Sequence, residues 1–293
     1  MNLSPPNVNA AYKPPDNQPD KPPDQQPNNQ PTSGTRRRAP PRLVSVTKVA
    51  TLSPAMRRIT LHSQALADFP AHLPASYIKL IFPEIGHTQL PVFTPDGPRP
   101  STMRTYTPRH FNFSTFEMEV DFVLHGAGPA SSWAAQAAIG QSLLLMGPGP
   151  GYAIASDAAS YLLLGDDSAL PALETIASAL PKTRPALALI EAIDEAEQRP
   201  LASIASALSA HWFYRGTDHK QAGKLLEQAL RAHTQHIAEL PKPCMVYLAC
   251  EAAAMRHLRQ LLIENHGFER SQITARGYWK LGAVNHPDHD YGD

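Results

Sequence analysis

The sequence RTYTPRHF, at residues 104–111, combines side chains that could bind a planar, anionic ligand. In an extended strand Arg104 and Tyr106 share one face, while Thr107 points to the other. Pro108 cannot donate a ladder hydrogen bond, so we expect the strand to end there or to lie at a sheet edge. A cation, an aromatic ring and a hydroxyl group at a strand end suit such a ligand, although an ordinary solvated sheet edge can have the same composition.

The sequence GAGPASSW supplies a second candidate site, because it is typical of the start of a helix. Pro129 suits the first helical position, where its missing N–H is not needed. The free backbone N–H groups of that turn, with the Ser131 and Ser132 hydroxyl groups, could bind an anion. Plain helix capping is the alternative. Together with Arg104 and Arg109, however, the turn favours a ligand that carries phosphate.

The segment FEMEVDFVLHG, at residues 116–126, alternates as a strand with one buried face does. A lone histidine at a strand end is usually a hydrogen-bonded structural residue and rarely a proton donor. We therefore assign no acid role to His125 and interpret it as a ligand contact. The apolar residues Met118, Val120, Phe122 and Leu124 share the core face, which leaves Asp121, Val123 and His125 on the other face, free to touch a ligand.

The rest of the chain predicts the elements that would position these residues. From Leu43, short β-rich segments separated by proline and polar turns predict a small antiparallel barrel. From about Ser160, strands alternate with helices, which predicts a parallel sheet with right-handed crossovers. We therefore expect a β-barrel plus α/β architecture, with a barrel domain at residues 43–155 and an α/β domain at residues 156–293.

Residues 1–42 differ in composition from both predicted domains. They hold eleven of the thirty prolines and almost no large apolar side chain. Such a segment cannot bury enough apolar surface to offset the entropy lost on ordering. We expect a disordered tail with polyproline character.

The overall composition disfavours several classes of partner. The formal net charge is zero, so there is no global basic field and we expect no nucleic-acid partner. No window approaches the ~20 apolar residues needed to cross a bilayer, so we expect no membrane span. Cys244 and Cys250 would lie roughly 20 Å apart in one strand, beyond the ~7 Å limit for a disulfide. We therefore expect a reduced, cytoplasmic protein.

Seven motifs follow one another between residues 42 and 282 and together resemble one family. They are RTYTPRHF, VDFVLHGAGPASSWA, GPGPGY, GDDSALPAL, YRG, LACEAAAMRHLR and GYWKLG. They resemble the siderophore-interacting proteins, which are flavin-dependent ferric-siderophore reductases of the ferredoxin-reductase-like superfamily. The resemblance implies an N-terminal antiparallel flavin-binding barrel followed by a parallel-sheet, nucleotide-binding-like domain, in agreement with the plan above.

The resemblance also implies FAD as cofactor and assigns roles to the first motifs. Tyr106 would stack on the isoalloxazine ring, Thr107 would hydrogen-bond near its reactive edge, and Arg104 would hold its phosphate. The other implied cofactor contacts are Arg109, Asp121, Val123, His125, Ser131 and Ser132. Electron transfer needs no acid–base pair, so we name no catalytic residue.

The electron donor is left open between NAD(P)H and a ferredoxin. Asp166 and Asp167 in GDDSALP place negative charge where a dinucleotide phosphate would have to approach. Arg215 could meet the 2′-phosphate of NADPH or could be a solvated strand-end arginine. The family usually has Ala-Gly-Glu where this chain has ACE, so Cys250 would add bulk where a nicotinamide approaches the flavin. Glu251 would line the same donor cleft.

The sequence ARGYWKLG implies the substrate segment. Arg276 and Lys280, beside Tyr278 and Trp279, suit a ferric siderophore, because an iron-loaded catecholate chelate is anionic. Trp279 could instead cover the flavin or anchor the domain. The later His286 and His289 belong to a loose tail, in which we expect no metal site.

The implied function is reduction of chelated Fe(III) to Fe(II), so that iron leaves the siderophore. A non-redox module that only binds the ferric chelate is an alternative. A reductase for another acceptor, such as a quinone or a free flavin, is a third possibility, because sites and not folds determine function.

Overall fold

The computed structural model describes residues 40–94, 97–126, 128–201 and 207–283 of the 293-residue chain. All but the last three residues of the predicted tail lie outside the described residues, and so do His286 and His289. The disordered tail and the domain boundaries near residues 43 and 156 therefore stay predictions.

The first half of the described chain forms one antiparallel sheet of seven strands, as its short β-rich segments predicted. Its inward-facing apolar side chains form a core that also takes in Ala130 and Ala134 of helix α1 (Pro129–Ala135). The strands are β1 (Arg42–Ser53), β2 (Met56–His62), β3 (Ile78–Ile81), β4 (Met103–Tyr106), β5 (Pro108–Asn112), β6 (Glu117–Val123) and β7 (Ser142–Met146), in the hydrogen-bonded order β4-β3-β7-β1-β2-β6-β5.

Thr107 is the only residue between β4 and β5, yet these two strands lie at opposite edges of the sheet. Strands joined by one residue can occupy opposite edges only when the sheet curls until its edges approach each other. The sheet is therefore an open barrel with its seam at Thr107. Pro108 begins the edge strand β5, as its missing N–H predicted, so the motif RTYTPRHF follows the seam.

The second half is a parallel sheet of five strands with helices on both faces, as the alternation of strands and helices predicted. Every residue of β8 and β9 is buried, which is typical of strands covered on both sides. The elements are β8 (Ser160–Asp166), α2 (Leu170–Ala179), β9 (Ala186–Ala192), β10 (Leu208–Tyr214), α3 (Lys224–Ala232), α4 (Thr234–Glu239), β11 (Cys244–Glu251), α5 (Ala252–His266) and β12 (Ile273–Trp279), with strand order β10-β9-β8-β11-β12.

The order of this sheet defines its switch point. The chain builds outward from β8 through β9 to β10, and then continues on the other side of β8 with β11 and β12. Open α/β sheets usually bind ligands between the carboxyl ends of the strands where the order reverses. Here those ends are Asp166 of β8 and Glu251 of β11. Gly165 leaves room for the start of α2 to pack against β8, since a Cβ atom on it would lie 2.9 Å from the Ala169 Cβ atom and 3.0 Å from Leu173.

Polar contacts join the barrel to the α/β half. Arg109 of β5 forms an ion pair with Glu174 of α2. The Ser53 hydroxyl, at the end of β1, donates a hydrogen bond of 2.6 Å to Glu197, which lies beyond β9. Both carboxylates are buried, so these contacts fix the seam of the barrel relative to the parallel sheet.

Within the described residues, we find no helix whose length and apolarity would let it cross a bilayer. The His, Cys, Asp and Glu side chains of the same residues form no group of three or more that could hold a metal ion. Cys244 and Cys250 are buried free thiols, as their spacing in one strand predicted.

Candidate functional site

Tyr106 ends β4 at the barrel seam, with its ring packed against the aromatic core. Its ring centroid lies 4.4 Å from that of Phe122 and 6.3 Å from that of Phe82. Burial raises the pKa of its phenol, so the hydroxyl stays protonated at all ordinary pH values. The core thus holds a flat aromatic side chain in a fixed place at the seam.

Arg104 lies two residues earlier and carries a positive charge that is only partly solvated. Its Nη1 donates hydrogen bonds to the carbonyl oxygens of Ser101 (2.7 Å) and Met103 (2.9 Å). Burial lowers the pKa of the guanidinium group, and no carboxylate in the described part of the chain pairs with it. A bound phosphate would supply the missing negative charge.

The turn before α1 exposes its backbone. Gly126 and Gly128 have φ angles of 78° and 95°, which favour glycine. A Cβ atom on Gly126 would meet nothing within 4 Å, and one on Gly128 would come no closer than 3.7 Å to its nearest neighbour. The Ser131 hydroxyl accepts a hydrogen bond of 2.9 Å from the His125 N–H, and the Ser132 N–H donates to the Gly128 carbonyl. Ser131 therefore shapes this turn, whose open backbone suits an anion.

His125 lies just beyond the end of β6, before the turn that leads into α1. Partial burial, and then the charge of His219 and that of Arg104, lower the pKa of its imidazole. His219 follows β10 and Arg104 belongs to β4, and these effects together favour the neutral form of His125. His219 carries no recognisable motif, so sequence reasoning missed it.

Asp121 and Val123 lie on the face of β6 that the strand alternation predicted, opposite the core residues Val120 and Phe122, but neither is left open to solvent. The Asp121 carboxylate is buried and accepts hydrogen bonds of 2.6 and 2.8 Å from Arg58, its neighbour across the sheet on β2. The prediction that Asp121 is free to touch a ligand is therefore wrong, because a cross-strand ion pair occupies it. Val123 packs against the core of the α/β half.

Thr107 faces the α/β half across the seam. Its side chain is buried and interacts with the phenol of Tyr278 on β12, which hydrogen-bonds to the Tyr247 hydroxyl at 2.8 Å. Arg109 forms an ion pair with Glu174, which also belongs to the α/β half. Both residues thus join the two halves, and their contact with a flavin stays a prediction.

Asp166 ties three strand ends together at the switch point. Its Oδ1 accepts a hydrogen bond from the Ser168 N–H (3.0 Å), and its Oδ2 accepts from the Glu251 N–H (3.1 Å) and from the Trp279 indole Nε1 (2.8 Å). Burial, and then the charge of Asp167, raise the pKa of Asp166 to about 6.

Arg215 lies among carboxylates and not on the surface. Its side chain is only 2% exposed, and its Nη2 donates to both oxygens of Asp167 at 2.9 Å, with Glu191 3.7 Å from Nη1. Neither sequence interpretation, a 2′-phosphate contact or a solvated arginine, fits this position. Parallel strands bring their carboxyl ends together, and the Arg215 guanidinium therefore offsets part of the negative charge of Asp167 and Glu191 in the interior.

Glu251 begins helix α5 at the switch point. Its Oε2 accepts hydrogen bonds from the N–H groups of Ala253 (2.6 Å) and Ala254 (2.9 Å), and its Oε1 accepts from the Leu281 N–H (3.1 Å). Its carboxylate therefore acts as the cap of a helix, and its place in a donor cleft stays a prediction.

Cys250 does not line the cleft. Its side chain is 0% exposed and packs with Leu258 and Met255 of α5, on the opposite face of β11 from Ala249. Side chains alternate along a strand, so the thiol points away from the place where Glu251 begins its helix. The prediction that a cysteine adds bulk to the donor cleft is therefore wrong.

The predicted substrate segment lies at the end of β12, an edge strand. Trp279 donates its indole N–H to Asp166, and its ring lies 5.9 Å from that of His219. Lys280 is exposed, whereas Arg276 is half-buried within β12. The structure thus brings Trp279 and His219 together beside the exposed Lys280, whereas Arg276 lies four residues earlier on β12 and is half-buried.

Comparison with known proteins matches both halves of the chain. Residues 45–152 match the family model described as siderophore-interacting FAD-binding domain, and residues 158–282 match that described as siderophore-interacting protein. The ferric vibriobactin reductase ViuB of Vibrio cholerae is 29% identical over 85% of this chain and 93% of that protein. The uncharacterized protein Rv2895c of Mycobacterium tuberculosis is 34% identical over 79% of this chain and 87% of that protein. The NADPH-dependent ferric-chelate reductase of Escherichia coli is 28% identical over 81% of this chain and 92% of that protein.

Solved structures give the same result. A siderophore utilization protein from T. fusca superimposes with a TM-score of 0.74 and 31% identity, over 86% of this chain and 98% of that one. Phthalate dioxygenase reductase, at a TM-score of 0.57 and 12% identity, shares the fold alone, over 84% and 70%. These matches over most of the chain, with a barrel seam and a parallel sheet arranged as described, show that the chain belongs to the siderophore-interacting protein family.

Proposed function

We propose that this chain is an FAD-dependent ferric-siderophore reductase, which reduces chelated Fe(III) to Fe(II) so that iron leaves the siderophore. The observation that carries the proposal is Arg104, a half-buried cation that no described carboxylate neutralises, together with the open turn at Gly126 and Gly128. It lies within the part of the chain that matches a siderophore-interacting FAD-binding domain.

The residues at the seam fit this cofactor. Arg104 and the backbone at Gly126 and Gly128 would hold the diphosphate, with Ser132 beside them, and Tyr106 would lie against the isoalloxazine ring. When bound, FAD accepts electrons from the donor and passes them singly to iron. Thr107 lies at the same seam, and His125, whose neutral form is favoured, adds no positive charge of its own.

The ferric chelate would lie at the rim formed by Lys280, Trp279 and His219. An exposed ammonium group attracts an anionic chelate, and the rings of Trp279 and His219 lie beside it. Two of the relatives are named for reduction of ferric vibriobactin and of ferric chelates, which supports this substrate class.

NAD(P)H and a ferredoxin are the two candidate donors. One relative is named as NADPH-dependent. However, four buried acidic residues lie at the switch point and a single buried guanidinium, that of Arg215, lies among them. The four are Asp166, Asp167, Glu191 and Glu251. This excess of acidic groups makes the edge unfavourable for a dinucleotide diphosphate.

The purified protein tests the proposal. It should be yellow or take up FAD, and its flavin absorbance should bleach with NADH, NADPH or a reduced ferredoxin. A ferric siderophore should then restore the absorbance while Fe(II) appears in a chromogenic Fe(II) trap. A protein that cannot take up FAD would end the proposal, and chelate binding without reoxidation of the flavin would favour a non-redox binding module.

A further inference from the structure

Two buried carboxylates hold the chain on either side of Lys280. Asp166 Oδ2 accepts the indole N–H of Trp279 at 2.8 Å, and Glu251 Oε1 accepts the backbone N–H of Leu281 at 3.1 Å. The two carboxylates are themselves linked, because Asp166 Oδ2 also accepts the Glu251 N–H. We call Asp166 and Glu251 the carboxylate pair.

The carboxylate pair occupies the place where a doubly wound sheet usually binds a ligand. Asp166 is 1% exposed and Glu251 6% exposed, and each oxygen of the pair accepts at least one N–H donor of this chain. Burial of two acidic groups is costly unless such donors compensate it. The pair therefore points its charge at the residues flanking Lys280, and it leaves the Lys280 side chain exposed to solvent.

The held segment packs against His219, which follows β10. The Trp279 ring contacts His219, and His219 and Arg104 both act on the charge of His125. The Lys280 side chain is long and flexible, and an anion that binds it must restrict its motion. Because hydrogen bonds already hold residues 279 and 281, the backbone of Lys280 does not have to be ordered as well, which lowers the entropic cost of binding.

We propose that Asp166 and Glu251 are positioning residues that hold Lys280 at the rim where an anionic ferric chelate binds. They touch neither the chelate nor the flavin, and they act through Trp279 and Leu281. This inference rests on the proposed function, and it explains why the motifs GDD and ACE carry acidic residues at a switch point. The same donors keep both carboxylates engaged with the chain itself.

The sharpest variant is Glu251→Gln. Its amide oxygen can still accept from the Ala253 and Ala254 N–H groups and cap α5, whereas its NH2 group would face the Leu281 N–H. The variant thus releases the segment while sparing the helix. In Asp166→Asn only one side-chain oxygen can accept hydrogen bonds, and the other position becomes an NH2 donor. The side chain can then no longer accept from Ser168, Glu251 and Trp279 together, so the variant loosens the hold on Trp279.

The test measures binding directly, on FAD-loaded oxidised protein, by quenching of tryptophan fluorescence. The probes are the anionic complex of Fe(III) with 2,3-dihydroxybenzoate and neutral ferric tris(acetohydroxamate). Lys280→Ala, Glu251→Gln and Asp166→Asn should each weaken binding of the anionic probe by about three- to fivefold, the range of an exposed charge pair. Binding of the neutral probe and the FAD content should change less than twofold, as should every value for the control Glu227→Gln on α3.

Double variants decide between positioning and plain stabilisation. Because the carboxylate pair acts through Lys280, Glu251→Gln added to Lys280→Ala should cause no further loss of anionic-probe binding. Multiplying effects, equal losses for both probes, or unchanged binding in Glu251→Gln would each overturn the inference. The readout needs no turnover, so a protein that binds the probe but never reduces it would contradict the proposed reductase and leave this result intact.

Discussion

Arg104 holds a positive charge that burial disfavours and that no described carboxylate offsets. Arg58, Arg109 and Arg215 differ in this respect, since they pair with Asp121, Glu174 and Asp167. A folded protein retains such an arginine at little gain in stability, so a ligand anion is the simplest account of it.

Arg104→Ala should therefore weaken FAD binding more than it affects the fold. The loss should be about ten- to hundredfold, because a hydrogen bond to a charged group contributes about 1.5–3 kcal/mol. Titration of the apoprotein with FAD, followed by flavin fluorescence, measures it. Arg231→Gln, on the exposed face of α3, is the control. Unchanged FAD affinity would remove Arg104 from the cofactor site.

Asp166 makes a testable contribution to the pH dependence of stability. Its pKa is raised to about 6 from an ordinary value of 3.8, so the folded state keeps this proton where the unfolded chain releases it. The free energy of unfolding that Asp166 contributes should thus fall as pH rises from about 4 to about 6, and level off above. Urea unfolding of the wild type and Asp166→Asn from pH 4 to 7 measures this as their difference. A difference that rises over this window would contradict the raised pKa.

At the scale of elements, β5 and α2 meet through an ion pair whose two members differ in exposure. The Glu174 carboxylate is 5% exposed, whereas the Arg109 side chain is 22% exposed. Water can therefore hydrate Arg109 better than Glu174 if either partner is removed.

Arg109→Met should destabilise the protein by about 1–3 kcal/mol, because it leaves a buried carboxylate without its cation. Glu174→Gln should cost less, since the arginine left behind is partly solvated. Chemical denaturation gives both values. If Glu174→Gln proves the more damaging change, the pair is not stabilised as its burial implies.

The elements also show where local pattern suffices. The β-rich segments and the strand–helix alternation predicted most strands and helices, because their apolar periods are set by the burial of one face or of both. The short β5, the six-residue α4 and the strand β12 were not predicted. In β12 two of the buried positions are held by small residues, Ala275 and Gly277, which give a weak apolar signal, and pairing with β11 makes it a strand.

At the scale of the whole molecule, charge is arranged around two places with opposite character. Arg104 and the exposed Lys280 lie toward the seam and the rim, whereas four buried carboxylates lie at the switch point. This distribution favours an anionic chelate at the rim and disfavours a dinucleotide diphosphate at the sheet edge.

Arg215 should not set the choice between NADH and NADPH. Its guanidinium is buried against Asp167, so Arg215→Lys should lower stability but leave the ratio of flavin reduction rates for the two nucleotides within twofold of the wild type. Stopped-flow absorbance measures the ratio. A selective loss of the NADPH rate would return Arg215 to the donor site. Reduction by neither nucleotide would point to an iron–sulfur donor.

By itself the sequence determined the order of the two folds, the strand end RTYTPRHF and the family, because these depend on local period, turn residues and motif order. The tertiary structure alone decided which charged residues are available. The sequence alone does not distinguish a charged residue that is available to a ligand from one that is already paired. In the structure each of four such residues is paired with a residue distant in sequence or with a helix end: Asp121, Arg109, Arg215 and Glu251. Whether a charge meets a ligand depends on the partners that folding brings to it, and those partners are not encoded in its neighbours along the chain.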